Sequence, residues 1–501
     1  MKYALLCFSA LALQLSSFAQ PMMVKDIDPG PGGSMPGRFS VINNKLAFFA
    51  NDSTDGYELW SSGGTDATTK LVYDINPGMA DADFMLSYVK MATVGNKAYF
   101  PADDGTHGIE LYSWDGTSAP MLASDIHPGA AGSLFTELVA LQNTIYFPTN
   151  DANYGVELWS YNPINGHSQI VADIRSGLQD SDPHNLVAYK NKLIFAASDG
   201  ITGDELYIYD PVSQTASRIF DINPGPDGSD PQSLVVLNDK LYFSATSGAA
   251  GRELYMYDGT NVVRVTDIYP GPGDGIQTAA NGEINIGAIG NTIYFNGTNG
   301  GGMEQQIYMY DPATNKSSLY AIINLSGTSK PSNFTTYGNK LYFSADDGAH
   351  GNELWAIDGN NHNYIVYDIN DSGDSDPMDM TVMNGKLYFS AYNPAYGREL
   401  YSFTDTTLSV PKILISGNTS VYPNPATTEA NITFDLQAQQ AIGLKLTDIA
   451  GRVVTLLAPE TYNAGKNNIK VDVSQLGSGI YFHNIINAEG LTLYTGRLLK
   501  Q

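Results

Sequence analysis

Cysteine is nearly missing from this chain. The single one, Cys7, lies in the first apolar stretch. Disulfides, thiol catalysis and cysteine metal sites are therefore excluded for a chain that has lost that stretch. Helical patterning is also scarce, because no long segment beyond the N-terminus places apolar residues at i, i+3, i+4 and i+7. No stretch after the leader is long and apolar enough to span a bilayer. Basic residues are few, with 26 Lys and Arg against 52 Asp and Glu and a net charge of -26. Such acidity repels phosphate backbones and anionic lipid, which argues against nucleic-acid and membrane-surface partners. It leaves cations, basic partners and neutral sugars. Catalytic signatures are absent as well, with no Gly-x-Ser-x-Gly elbow and no His-Glu-x-x-His. His107 and His350 occupy matching places in a repeat, while His127, His167, His184, His362 and His483 show no metal-ligand spacing. Carboxylate pairs abound, so a glycosidase-like pair stays open, but among so many acids any one pair is weak evidence.

What is abundant points to short strands and tight turns. The 501 residues include 50 Gly, 25 Pro and 32 Tyr, and 43% are hydrophobic, enough for a sizeable core. The chain opens with Met1-Lys2, a mostly apolar run from Tyr3 to Leu15, and the small residues Ser17 and Ala19. This predicts a signal peptide over residues 1–19, cut between Ala19 and Gln20. The competing reading, a lone membrane anchor, suffers from the shortness of the run. Cys7 lies too near the start to follow a full apolar region, which disfavours a lipoprotein.

One phrase then recurs eight times between residues 21 and 403. Its cleanest copy, Gly338 to Gly359, joins two apolar runs through an acidic, Gly-rich loop. An Asp-Ile phrase closes each unit, at Asp26, Asp74, Asp125, Asp173, Asp221, Asp267 and Asp368. A Glu-Leu phrase opens the third run, at Glu58, Glu110, Glu157, Glu205, Glu253, Glu353 and Glu399. Ile322-Ile323 and Gln306-Ile307 replace both phrases in the degenerate sixth copy. Spacings run from 46 residues (Asp221 to Asp267) to 55 (Asp267 to Ile322). An all-β period of this size points to propeller blades, with an open β-solenoid as the alternative.

The fifth unit shows the four runs as Ser233–Leu237, Lys240–Ala245, Glu253–Tyr257 and Val262–Ile268, with Asn238-Asp239 as a hairpin turn. The second run is almost wholly apolar, as a strand buried on both faces should be. The ends of the array are out of phase. Asp26-Ile27 precedes any complete unit, and no Asp-Ile phrase follows Glu399. Pairing Met22–Ile27 with the last unit closes the ring and removes two exposed edges. The alternative is that Thr407–Val410 completes the last unit itself. The expected fold is thus all-β: an eight-bladed β-propeller over residues 20–410 closed by an N-terminal strand, a linker over 411–420, and a small immunoglobulin-like β-sandwich.

The acidic loops carry the candidate metal ligands. Asp103 and Asp104 lead to Glu110, and Asp346 and Asp347 lead to Glu353. Clustered carboxylates on a Gly-rich turn suit Ca²⁺, which takes six to eight oxygens. No other cofactor is indicated. The competing role is structural: a carboxylate repeated in seven of eight units serves the blade's own backbone N–H groups. Trp60, Trp114, Trp159 and Trp355 read as blade-packing residues rather than sugar platforms. The sixth unit, with its Gly-rich insert Asn296–Gly302, reads as drift after lost constraint or as a blade specialised for a partner.

After about residue 411 the pattern changes. Ile432–Leu436, Ile442–Thr447, Asn468–Val473 and a run through Leu491–Leu499 read as strands of a sandwich. The segment opens with Tyr422-Pro423-Asn424-Pro425 and carries an Asp448-x-x-Gly451-Arg452 turn. It continues with Leu476-x-x-Gly479-x-Tyr481 and ends in a basic strand. On these motifs, residues 421–501 closely resemble the type A C-terminal sorting domain of the type IX secretion system. The resemblance implies recognition by that machinery, passage through the periplasm and across the outer membrane, removal of the domain, and release or attachment to surface lipopolysaccharide. The upstream units resemble secreted Glu-Leu-Trp/Asp-Gly-Thr repeat proteins, although several units lack the Asp-Gly-Thr that Asp115-Gly116-Thr117 and Asp258-Gly259-Thr260 retain. The reading that follows is a secreted or surface-bound non-catalytic protein that binds a glycan or protein ligand. A propeller glycoside hydrolase or polysaccharide lyase is the runner-up, and a structural adhesin the third reading. Deleting the chain from Val421 onward is expected to strand the protein in the periplasm; cell fractionation with surface immunodetection checks this, and normal delivery would refute it.

Overall fold

The computed structural model describes residues 20–82, 89–277, 285–301, 305–358, 362–405, 419–436, 440–448, 452–463, 465–487 and 492–501. The leader, the Thr407–Val410 alternative and most of the linker lie outside these. The chain divides into two compact units, Met1–Thr406 and Thr407–Gln501. Among the described residues the one helical turn is Asp66–Thr68, and no helix is long and apolar enough to cross a membrane.

The first unit is eight four-stranded antiparallel sheets, here blades 1 to 8 in chain order. In blades 1 to 7 the four strands follow one another in sequence. Their second strands are the buried axes. In Lys45–Asn51, Leu46 through Ala50 are sealed from solvent, and Lys340–Asp346 and Lys386–Asn393 repeat the pattern. Both faces of each sheet pack on a neighbour, so these runs need no polar side. Tyrosines of adjacent blades meet across the gap, Tyr99 with Tyr161, Tyr146 with Tyr209 and Tyr242 with Tyr310, at 5.6 to 6.1 Å between ring centres. All four tryptophans are buried within the blades.

Blade 8 closes the ring as its out-of-phase ends predict. Its own three strands are Met378–Met383, Lys386–Asn393 and Gly397–Phe403. Met22–Lys25 supplies the fourth, pairing Met22 with Ser402 and Met23 with Tyr401. The first strands, from Gly37–Ile42 in blade 1 to Met378–Met383 in blade 8, neighbour one another in sequence, and the last returns to the first. They therefore line the central channel.

The Glu-Leu carboxylates are the fasteners between strands. All seven are fully buried. Each accepts the backbone N–H groups of an Asp-Ile phrase, as Glu110 does from Ile126 at 2.7 Å and His127 at 3.0 Å. In most blades a serine hydroxyl that begins the next unit donates as well: Ser133 to Glu110, Ser181 to Glu157, Ser229 to Glu205 and Ser375 to Glu353. Thr266 does this for Glu253 at 2.5 Å. At the seam, Glu399 takes Ile27 N, Asp28 N, Ser34 N and Ser34 Oγ at 2.6 to 3.3 Å, so a segment ahead of the first blade satisfies the last one. Blade 6 uses Gln306 in the same place. Its Oε1 accepts from Ile323 N and Ser329 Oγ, and its Nε2 donates to the carbonyls of Asn324 and Gly327. The divergent blade thus retains the fastener in neutral form.

Two strand assignments differ from expectation. The fourth strand of blade 5 is Val262–Arg264 rather than Val262–Ile268, because the Thr266 hydroxyl takes over the N–H of Leu254. In the C-terminal unit, Val453–Tyr462 is a ten-residue edge strand where sequence reading saw only a turn. Its residues are mostly exposed, Val453, Val454 and Leu456 among them, so apolar and polar positions do not alternate and the strand period is hidden.

That unit is a sandwich. One sheet holds Ser420–Tyr422, Glu429–Leu436 and Gly465–Asp472; the other holds Val453–Tyr462, Gln440–Asp448, Gly479–Asn487 and Thr492–Lys500. Ala430, Ile432, Phe434 and Leu436 alternate inward against Ile442, Leu444, Leu446 and Ile485. Replacing Glu399 by alanine orphans two buried backbone donors at the seam, Ile27 N and Ser34 N, which should cost about 2–6 kcal/mol at roughly 1–3 kcal/mol per orphan. Urea unfolding measures it, and a loss below about 1 kcal/mol would remove the fastener from the account.

Candidate functional site

The acidic loops are internally occupied. Asp103 Oδ1 accepts Gly105 N at 2.8 Å, and Asp104 Oδ1 accepts Thr106 N and His107 N at 2.9 Å. Asp104 Oδ2 meets His107 Nδ1 at 2.8 Å. Asp346, Asp347 and His350 repeat these bonds in blade 7, at 2.6 to 2.8 Å. These are Asx turns, in which a short carboxylate caps the backbone of its own loop. The backbone N–H groups and the histidine hold Asp104 below the usual carboxylate range despite some burial. Glu110 and Glu353 point their oxygens to the Asp-Ile backbone instead of these loop amides.

A second constellation lies at the channel. A cavity of about 800 Å³ is walled by first strands of several blades, with Leu186, Leu234, Val235, Ile286 and Phe334 as apolar lining. Thr136, Glu137, His184, Asn185, Gln232 and Ser233 supply polar groups. A repeated backbone feature presents them. A Ser-x-Pro phrase leads into the first strand, and a register shift follows in blades 1, 4, 5, 7 and 8. Arg38, Asn185, Ser233, Asn333 and Asp379 sit at this shift with φ between 53° and 62°. Bulges of this kind re-aim side chains. Several then reach the next blade: Asn185 Nδ2 donates to Pro231 O, Asn285 N donates to Ser233 Oγ, and Arg38 N donates to Asp379 Oδ2. Glu137 accepts from Leu186 N in the same way.

His184 is the centre of the polar wall. Its Nδ1 lies 2.8 Å from the carbonyl of Asp182. Its Nε2 lies 3.1 Å from Asp204 Oδ2 and 3.9 Å from Asp230 Oδ1. Burial opposes a charge on the imidazole, but Asp204 and Asp230 outweigh it and raise His184 well above its usual value. Asp230 is fixed in turn by the buried Arg252, at 2.5 Å, and by Gln232 Nε2, at 2.8 Å. Burial pushes the Glu137 carboxyl up to about 7, against the pull of Leu186 N–H and His184. Sequence spacing missed this group because its members come from three separated segments. A readable trace was the Ser-x-Pro phrase at Ser181 and Ser229, which marks the start of two channel-lining strands.

The tail motifs meet in the sandwich. Asn424 bonds both ways with the last strand, donating to Arg497 O at 3.1 Å and accepting from Leu499 N at 2.8 Å. Arg452 grips Asp448 through Nε and a terminal nitrogen, both at 2.8 Å, and its N–H caps the same carboxylate. Tyr481 donates to Gly477 O at 3.0 Å, and Gly479 pairs with Lys500. Gly451 lies outside the described residues.

Residues 420–499 match the family described as the secretion system C-terminal sorting domain. The segment is a type IX sorting domain, and the protein is exported to the cell surface or extracellular space. No curated protein matches the chain. Among solved structures, PorZ, a surface component of the type IX secretion system of Porphyromonas gingivalis, is 12% identical with a TM-score of 0.39, over 92% of this chain and 69% of its own. A puromycin-hydrolysing peptidase of Mycobacterium tuberculosis is 10% identical with a TM-score of 0.45, over 74% of this chain and 60% of its own. The GH74 enzyme of Niastella koreensis is 11% identical with a TM-score of 0.37, over 94% of this chain and 73% of its own. At these levels the likenesses concern fold alone.

The buried fasteners also set a pH dependence. Burial lifts Glu58 to about 8 and Glu353 and Glu399 to about 7, outweighing the backbone N–H groups that favour the anion. The folded state then binds more protons than the unfolded chain between roughly pH 4.5 and 8, so stability falls as pH rises through that window. The melting temperature should be higher at pH 5 than at pH 8; a scan that rises toward pH 8 would contradict it.

Proposed function

We propose that the propeller is an exported binding module that takes a neutral glycan at the central channel. The observation that carries this is the cavity of about 800 Å³ with an apolar wall and a rim of hydroxyls and amides beside the ionisable Lys90, Glu137 and His184. Its volume falls in the usual range for small-ligand sites, about 300–1,000 Å³. Hydroxyl and amide groups match sugar hydroxyls, and apolar side chains match the C–H faces of the rings. The concavity speaks against a purely structural adhesin. Ca²⁺ at the acidic loops would have to compete with His107 and His350 for Asp104 and Asp347, so its contribution is assigned as weak.

A second reading, hydrolysis or lysis of a polysaccharide, has its own support. Glu137, with its proton held to near neutrality, shares the channel wall with His184, and the two come from different blades. Such a group can serve as a general acid. Glycan arrays of the mature protein, with and without Ca²⁺, separate the readings when reducing-end release is assayed alongside. A binder retains glycan without releasing ends, and Thr136→Trp, which narrows the cavity at one of its lining positions, should weaken binding at least tenfold. An enzyme releases ends, and Glu137→Gln abolishes that while leaving binding. Glycan binding unchanged by Thr136→Trp would remove the channel as the site.

A further inference from the structure

We propose that His184, Asp204 and Asp230 form a three-ligand site for a divalent transition-metal ion at the channel. The ligand atoms lie within 4.8 Å of one another and come from separate segments: the start of the first strand of blade 4, the start of its third strand, and the entry to blade 5. The site goes beyond the glycan reading and stands without it, since its test uses no glycan.

The tautomer of His184 is the first argument. A carbonyl can only accept, so the Nδ1 that faces Asp182 O at 2.8 Å carries a proton. Nε2 is the free coordinating position, and it faces Asp204 Oδ2, 3.1 Å away, and Asp230 Oδ1. Two carboxylates there call for a cation on that nitrogen: a proton in the metal-free protein, or a metal ion in the proton's place. An N–H bonded to a backbone carbonyl behind the ring is also the arrangement that orients metal-bound histidines.

The surroundings are the second argument. Asp204 Oδ1 is shielded from solvent and has no hydrogen-bond partner among the described residues. A carboxylate with one oxygen in that state gains from a cation held at the other. Asp230 is held by Arg252, which is 3% exposed, and by Gln232, so its free oxygen is aimed before any ion arrives. The backbone stitches the two acids together, with Ser229 N and Asp230 N both donating to Asp204 O. One imidazole with two carboxylates suits Zn²⁺ or Mn²⁺ better than Ca²⁺, which favours oxygen alone. Three protein ligands leave positions for water or an incoming ligand group, as an open site requires.

The test uses the mature full chain after chelation and dialysis. Titrated with Zn²⁺ in a calorimeter, it should show one saturable site that is lost by at least 100-fold in His184→Ala and in Asp230→Asn. Substituted with Co²⁺, the wild type should show a visible d–d band that both variants lack. Near-UV circular dichroism of the metal-free variants shows whether they are folded, and the wild-type cobalt spectrum reports on the site without any substitution. Absence of the band in the wild type, or zinc binding equal in wild type and His184→Ala, overturns the proposal; the latter would place the ion at the exposed His-Asp loop pairs.

Discussion

The propeller depends on a carboxylate that has no cation beside it. Each Glu-Leu glutamate is stripped of water and surrounded by N–H and O–H donors from two stretches of chain. Those donors belong to the turn that leaves one blade and the phrase that enters the next. The turn would otherwise carry orphaned amides, because the strand ladder stops before it and, in most units, a proline and a glycine follow it. The glutamate therefore meets a need created by blade geometry, which explains its recurrence. Blade 6 tests this in nature. Its Gln306 keeps the acceptor oxygen and sends its amide hydrogens to two carbonyls, so geometry persists where charge is gone.

The same requirement made much of the fold legible. Glu58 through Glu399 and Asp26 through Asp368 stand out in sequence because the fastener tolerates few substitutes. The phase mismatch between Asp26 and Glu399 foretold which segment completes blade 8, since ring closure needs one donor phrase per acceptor. Strand ends were less visible. Thr266 stops a strand by offering its hydroxyl to the backbone, and nothing in the local pattern separates it from a strand threonine. Val453–Tyr462 is an edge with little burial, so it lacks the alternation by which strands are recognised.

The channel group was illegible for a different reason. His184, Asp204 and Asp230 each look like surface polar residues within their own segments. Their meeting depends on bulged strand entries and on an interblade junction, which sequence spacing does not encode. The Asp-Gly loops drew attention because their residues are adjacent, yet their oxygens are largely used by neighbouring amides. Local clustering of acids and convergence of acids from distant segments thus carry different meanings. The first caps turns; the second builds a site.

The seam has a consequence for synthesis and export. Met22–Lys25 is among the earliest parts of the chain to leave the ribosome, and its partner, Gly397–Phe403, among the latest of the propeller. Until that partner arrives, an apolar edge is without a mate, and the wheel has no closed intermediate to rest in. Closure of the ring thereby waits for Gly397–Phe403, so any step of export taken before then handles an open array still waiting for its own beginning.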